Sequence, residues 1–269
     1  MAQGAQTLAR PGARKRAAAR QGPARGDWLG TAARWLGVAT ALAFVAMLYM
    51  ALVYAPTEQT QGPAQRIFYM HFGSAIITYV AYFVTFAASI LYLWRRAEGW
   101  DMLARSSAEV GVLMNTILLL SGAIWGKTIW GTWWSWDARL TSTLILWFIY
   151  AGYLMLRAYG GDTAQIARGA AVVGIIGFLD VPIINQSVRW WRTLHPAPIV
   201  ERENPQLPGT MLAAMFVAIA AFFILYLYLT VQRLRVEQLR VELGALQQDV
   251  LFLEVENQEP AVVAGAQEA

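Results

Sequence analysis

The sequence predicts an all-α polytopic membrane protein with about six transmembrane helices and both termini in the cytoplasm, and three observations lead there. The 269 residues are 57% hydrophobic and only 14% charged, and mean hydropathy is +0.41, an excess of apolar side chains beyond that of ordinary soluble domains. Six stretches approach the length of about 20 apolar residues that carries a helix across a bilayer core. With the N-terminus inside, 15 Lys and Arg residues fall on inner segments and 6 on outer ones, the asymmetry that orients membrane proteins. The bias keeps its sign at 8 against 6 when residues 1–34 are left out.

Taken in order, residues 1–34 are rich in Ala, Gly and Arg without apolar periodicity, and are expected to form a disordered basic cytoplasmic tail. The membrane domain follows over 35–230. Its first run, Leu36 to Tyr54, is long enough to span and reads as a retained anchor rather than a cleaved signal. The second, third and fourth runs are Tyr69 to Trp94, Val110 to Trp125 and Leu140 to Leu156. The fifth, Ala170 to Ile184, is short and carries Asp180 and Pro182, which predicts a tilt or partial break. The sixth is Met211 to Thr230. Beyond it, Val236, Leu239, Leu243, Leu246, Val250 and Leu253 recur at alternating spacings of three and four. This predicts a cytoplasmic helix over 231–258, either lying amphipathically on the membrane or pairing as a coiled coil, although Gly244 weakens the stripe. Residues 259–269 read as a disordered tail.

The connection between the third and fourth runs is the most unusual stretch. It holds Trp125, Trp130, Trp133, Trp134 and Trp136, with Gly126 and Gly131 between them and Asp137 and Arg139 at the end. An interfacial aromatic belt accounts for one or two Trp at a helix end; it does not call for five within twelve residues. Clustered indoles offer flat polarisable faces, each with one N–H donor, suited to a flat aromatic ligand, and the glycines let backbone approach such a ligand closely. Gly126-Lys127-Thr128 imitates the end of a phosphate-binding loop, but the first glycine of that pattern would have to stand where Ser121 is. No nucleotide site follows.

Only two histidines occur, and the predicted topology puts both on the outer side. His71 is near the outer end of the second run. His195 follows the fifth, behind Trp190 and Trp191. Two imidazoles on one face, flanking a tryptophan cluster, suit the two axial positions of a haem iron. Were residues 187–195 helical, Trp191 and His195 would share a face. With no cysteine in the chain, disulfides, thiolate metal sites, cysteine nucleophiles and thioether attachment are excluded, so haem would be held as non-covalent haem b. Its propionates need cations, and Arg66, Lys127, Arg139, Arg189 and Arg192 are the outer candidates, each equally readable as a snorkelling interfacial charge. Asp137 reads either as the cap of the next helix or as a ligand-site residue.

The segment Trp130-Gly131-Thr132-Trp133-Trp134-Ser135-Trp136-Asp137, continuing through Ala138, Arg139, Leu140, Thr141 and Ser142, resembles the W-G-x-x-W-x-W-D signature of haem-handling membrane proteins. Within them it is similar to the haem exporter protein C family of the system I cytochrome c maturation pathway. Pro182 to His195, with Ser187, Val188, Trp190, Trp191, Thr193 and Leu194, resembles that family's second histidine loop. The likeness covers Leu36 to Thr230. It implies that His71 and His195 are axial ligands and that the tryptophan segment is the haem platform. It also implies a bacterial inner-membrane location and four partners: the ATPase and membrane subunits of an ABC transporter, a small single-span protein and a periplasmic haem chaperone. The expected role is binding and presentation of haem, with any chemistry limited to assisting its covalent attachment to the chaperone; nothing resembles a hydrolytic or nucleophilic constellation, and no nucleic-acid partner is expected. Two alternatives stand beside it. A haem lyase or synthase acting on apocytochrome c would be larger and richer in histidine. A haem-translocating transporter subunit would carry more intramembrane polar residues than Asn115 and Asp180.

Overall fold

The computed structural model describes residues 28–161, 163–195 and 207–265, with side chains up to residue 251. Among them every regular element is helical, and six helices are long and apolar enough to cross a membrane. Most of the basic stretch expected as a tail, and the last four residues of the chain, lie outside the described residues.

Helix α1 is Trp28–Tyr49. It starts inside the stretch expected to be disordered, which corrects that boundary: Leu29, Gly30 and Ala33 are already buried, and tertiary packing of this kind leaves no mark in composition. The helix ends in a π-turn, Met50–Tyr54, closed by the Ala55 amide on the Met50 carbonyl at 2.9 Å; Pro56 cannot prolong it. A loop to Gly62 (φ +60°) and a 3₁₀ turn, Pro63–Arg66, lead into α2, Ile67–Arg95. Helix α3, Glu98–Trp130, stops where Gly131 adopts φ +76° and its amide bonds the Lys127 carbonyl. Helix α4 is Ala138–Tyr159, with Asp137 as its N-cap. The fifth span is two helices, α5 (Ala164–Phe178) and α6 (Asp180–Trp190), interrupted at Leu179 just before the expected polar pair. Helix α7 runs without interruption from Gly209 to Gly265. It joins the sixth span, the amphipathic segment and the first part of the expected C-terminal tail in one rod.

The helices share two cores. One gathers Met47, Ala51, Phe68, Tyr69, Ile77, Met114, Met215 and Phe222 from α1, α2, α3 and α7. The other gathers Tyr82, Ala108, Leu146, Tyr150, Tyr153, Ala170 and Ile184 from α2 to α6. The antiparallel pair α2 and α3 is thus central. In lipid the helices gain little from hydrophobicity itself, so close packing and interhelical hydrogen bonds carry the association. Tyr82 and Tyr150 stack at 3.7 Å and 12°, the Tyr150 hydroxyl donates to the Gly174 carbonyl at 2.9 Å, and a Cβ at Gly177 would meet Ile149 at 2.8 Å. At one end of the bundle, ion pairs tie α3 to its neighbours: Arg157 to Asp101 at 2.6 Å, Arg105 to Glu237 at 3.5 Å, and Arg233 to Glu109. The other end holds the tryptophan-rich connection, Trp190, Trp191 and both histidines.

Candidate functional site

His71 lies in the first turns of α2, beside the last turns of α3. Its Nδ1 is 3.1 Å from the Ser121 Oγ, and Ser121 in turn donates to the Leu118 carbonyl at 3.2 Å. The ring lies against Gly122, where a Cβ would come within 2.9 Å of Cε1. Trp125 meets it edge-on at 5.6 Å between centroids, and the Trp125 indole N–H donates to Gln61 Oε1 at 3.2 Å. One helical turn of α3 therefore walls the imidazole, while the loop from α1 holds the wall.

His195 is placed differently. Helix α6 ends at Trp190, and Trp191 is extended at φ −127° and ψ 159°. Residues 187–195 are therefore not one helix, which corrects the expectation that Trp191 shares a face with His195. The backbone instead turns back onto Asp137. Its Oδ2 accepts from Thr193 Oγ1 at 2.9 Å and from the Leu194 amide at 3.4 Å, and lies 3.2 Å from His195 Nδ1. Its Oδ1 accepts from the Leu140 amide at 2.8 Å, capping α4. One carboxylate oxygen of Asp137 thus caps α4 and the other holds the Thr193–His195 segment. The indole beside His195 is Trp130, edge-on at 5.1 Å.

The two ends of one short stretch of α3 thus supply one indole to each histidine. Trp125 and Trp130 brace imidazoles, whereas Trp133, Trp136, Trp190 and Trp191 are more than half exposed. Trp134 contacts Trp136 edge-on at 5.6 Å, and its own indole N–H is buried with no hydrogen-bond partner among the described residues.

Burial pushes the His195 imidazole below its ordinary range; Asp137 pulls it back up and Arg139 opposes, leaving it lowered. Burial pushes the Asp137 carboxyl up, but the Leu140 amide, His195 and Thr193 together hold it below the usual carboxylate range. At neutral pH this sets a neutral imidazole against a carboxylate. Of the five cations, Arg139 is the one within electrostatic reach of Tyr79 and of both histidines. Arg66 donates to the carbonyls of Ala51 and Leu52, and Lys127 to the Gly131 carbonyl at 2.9 Å. Arg189 approaches Gln186, and Arg192 is exposed. No group of three or more His, Cys, Asp or Glu side chains is placed to hold a bare metal ion among the described residues. Ser121, Gly122, Gln61 and Thr193 are site residues that sequence patterns did not mark.

Fold and site together define a multi-pass membrane protein that collects two histidines and a tryptophan-rich connection at one end of its helix bundle. Residues 21–249 match the family model described as heme exporter protein C. The chain is 35% identical over 215 residues to the heme exporter protein C of Bradyrhizobium diazoefficiens, covering 79% of this chain and 81% of that one. The match to the Haemophilus influenzae protein of that name is 39% over 191 residues, 70% of this chain and 77% of the other. For Escherichia coli it is 33% over 201 residues, 75% and 81%. The chain belongs to the heme exporter protein C family.

Proposed function

We propose that the protein binds haem b non-covalently at the outer face of the bacterial inner membrane and presents it to a periplasmic haem chaperone during c-type cytochrome biogenesis. One observation carries this reading: two imidazoles at the same end of the bundle each have Nδ1 against a protein oxygen, so Nε2 is the nitrogen left for iron. The donor set fits a macrocycle rather than a bare ion, because two neutral imidazoles supply two axial positions and leave four ligands to the porphyrin. The exposed indoles of Trp133, Trp136, Trp190 and Trp191 give flat apolar area. The propionates would meet the outer cations Arg139, Arg189 and Arg192 rather than Arg66 and Lys127, which donate to backbone carbonyls.

Haem, as cargo, would supply the iron and the vinyl groups; this chain supplies orientation. His71 and His195 would hold it by the iron, and the exposed indoles of Trp133, Trp136, Trp190 and Trp191 would limit its tilt. With no phosphate-binding loop of its own, the chain would depend on an ABC transporter pair for nucleotide-driven steps, with a small single-span protein completing the assembly.

The test is the visible spectrum of the detergent-purified chain from cells supplied with the chaperone, as wild type, His71→Ala and His195→Ala. Wild type is expected to carry low-spin haem, and each variant to lose it or turn it high-spin. A haem-free wild type whose variants still load the chaperone would refute the site.

A further inference from the structure

The two histidines are held by unlike partners. At His195 the atom facing Nδ1 is a carboxylate oxygen, 3.2 Å away. Thr193 Oγ1 already donates its only proton to that oxygen at 2.9 Å and accepts from the His195 amide at 3.1 Å. A bare Nδ1 lone pair pointed at an ionised oxygen would be repulsive, so Nδ1 must carry the ring proton and Nε2 must be bare. At His71 the partner is neutral. Ser121 Oγ lies 3.1 Å from Nδ1 and donates to the Leu118 carbonyl at 3.2 Å; with its proton placed there the hydroxyl accepts from a protonated Nδ1, and the Leu118 carbonyl, also neutral, faces the ring as well.

We propose that Asp137 and Ser121 are positioning residues that fix the tautomers of His195 and His71, and that the carboxylate makes His195 the firmly held, electron-rich ligand and leaves His71 the exchangeable one. The proposal rests on the haem reading above. A carboxylate hydrogen-bonded to the far nitrogen of an imidazole orients the ring and raises its basicity toward a metal, which favours ferric over ferrous iron; a hydroxyl does this weakly. The cap adds rigidity. Because Oδ1 of the same carboxylate holds the first turn of α4 through Leu140, His195 is fastened to a helix terminus and not merely to a loop. His71 is fixed by the steric wall of Gly122 and Trp125, which positions a ring without enriching it. Handover of haem to an acceptor would then begin with loss of the His71 bond while His195 keeps hold of the iron.

Histidine-nitrogen NMR on the full chain in detergent reads the tautomers directly. With two histidines in the sequence, His71→Ala assigns both rings. Wild type is expected to show Nδ1–H and bare Nε2 for each. Asp137→Asn keeps a good helix cap and is expected to scramble the tautomer of His195 alone, and Ser121→Ala that of His71 alone. A proton on Nε2 of His195 in wild type, or a His195 indifferent to Asp137→Asn, overturns the assignment; the wild-type spectrum decides even if a variant fails to fold. On haem-loaded protein, Asp137→Asn is expected to shift the ferric/ferrous midpoint upward and Ser121→Ala to shift it less. Equal shifts overturn the inequality of the two ligands. If wild type binds no haem, the haem reading fails and the inequality falls with it, whereas the NMR result still decides whether Asp137 orders His195.

Discussion

At His71 the surrounding atoms leave the imidazole a single place. Gly122 faces the ring with no side chain, and a methyl group there would sit 2.9 Å from Cε1. The helix would accept that methyl readily, because alanine favours a helix interior by about 1 kcal/mol over glycine. Only the ring must move. Gly122→Ala is therefore expected to leave thermal stability in detergent unchanged or slightly higher while haem affinity falls about tenfold or more, as for outer-shell changes at metal ligands; unchanged haem affinity in a titration would show that the ring tolerates displacement. The histidines and tryptophans themselves were legible in the sequence because they are rare residues in a dense cluster. Gly122 and Ser121 were not: Ser121 registers in the sequence only as the residue that spoils a phosphate-loop pattern, and it acts on a histidine 50 positions away. Gln61 and Thr193 likewise act on partners 64 and 56 positions away. No local pattern records such pairings, and for the same reason the end of α6 at Trp190 was hidden, since the strand-like turn after it is fixed by Asp137.

The helices show where hydropathy stops being informative. An apolar run marks only the length of helix that lipid requires, so the cores of all six spans were readable while their polar continuations were not. Helix α3 begins at Glu98, well before the apolar stretch that starts at Val110, and this polar first part is where the ion pairs form. Arg157 of α4 and Asp101 of α3 meet at 2.6 Å with side chains 6% and 17% exposed. Removing one partner of a pair this buried costs about 3 kcal/mol or more, because the charge that remains has lost its compensation. Arg157→Met is expected to lower stability by about that amount in a denaturant or thermal unfolding assay in detergent, and Asp101→Asn added to it should recover part of the loss. A single variant as stable as wild type would show that water reaches the pair. The break at Leu179 belongs to the same account. Asp180 and Pro182 signalled an interruption, and the backbone yields one residue earlier, which leaves Pro182 inside the first turn of α6, where its missing N–H costs least.

The six spans place every connection at one of two ends. The loop from Tyr54 to Pro63, the tryptophan connection and the segment after α6 share one end; the turns at Arg96 and Gly161 and the extension of α7 share the other. The described part of the second end carries Arg34, Arg95, Arg96, Arg105, Arg157, Arg168, Arg233, Arg235 and Arg240, while that of the first carries Arg66, Lys127, Arg139, Arg189 and Arg192. The more basic end is expected to stay in the cytoplasm on insertion, which would turn the histidines outward, as the proposed delivery to a periplasmic acceptor requires. The margin is narrow, so orientation is the part of the functional reading most worth testing directly, and the cysteine-free sequence makes the test clean. Gln59, exposed in the loop on the histidine side, and Gln165, exposed in the first turn of α5, are suitable sites. With a membrane-impermeant maleimide on spheroplasts, Gln59→Cys is expected to label at once and Gln165→Cys only after lysis. The opposite pattern would point both imidazoles at the cytoplasm, where haem is made and no periplasmic chaperone can reach it; the same site would then be one of haem uptake from inside, not of presentation outside.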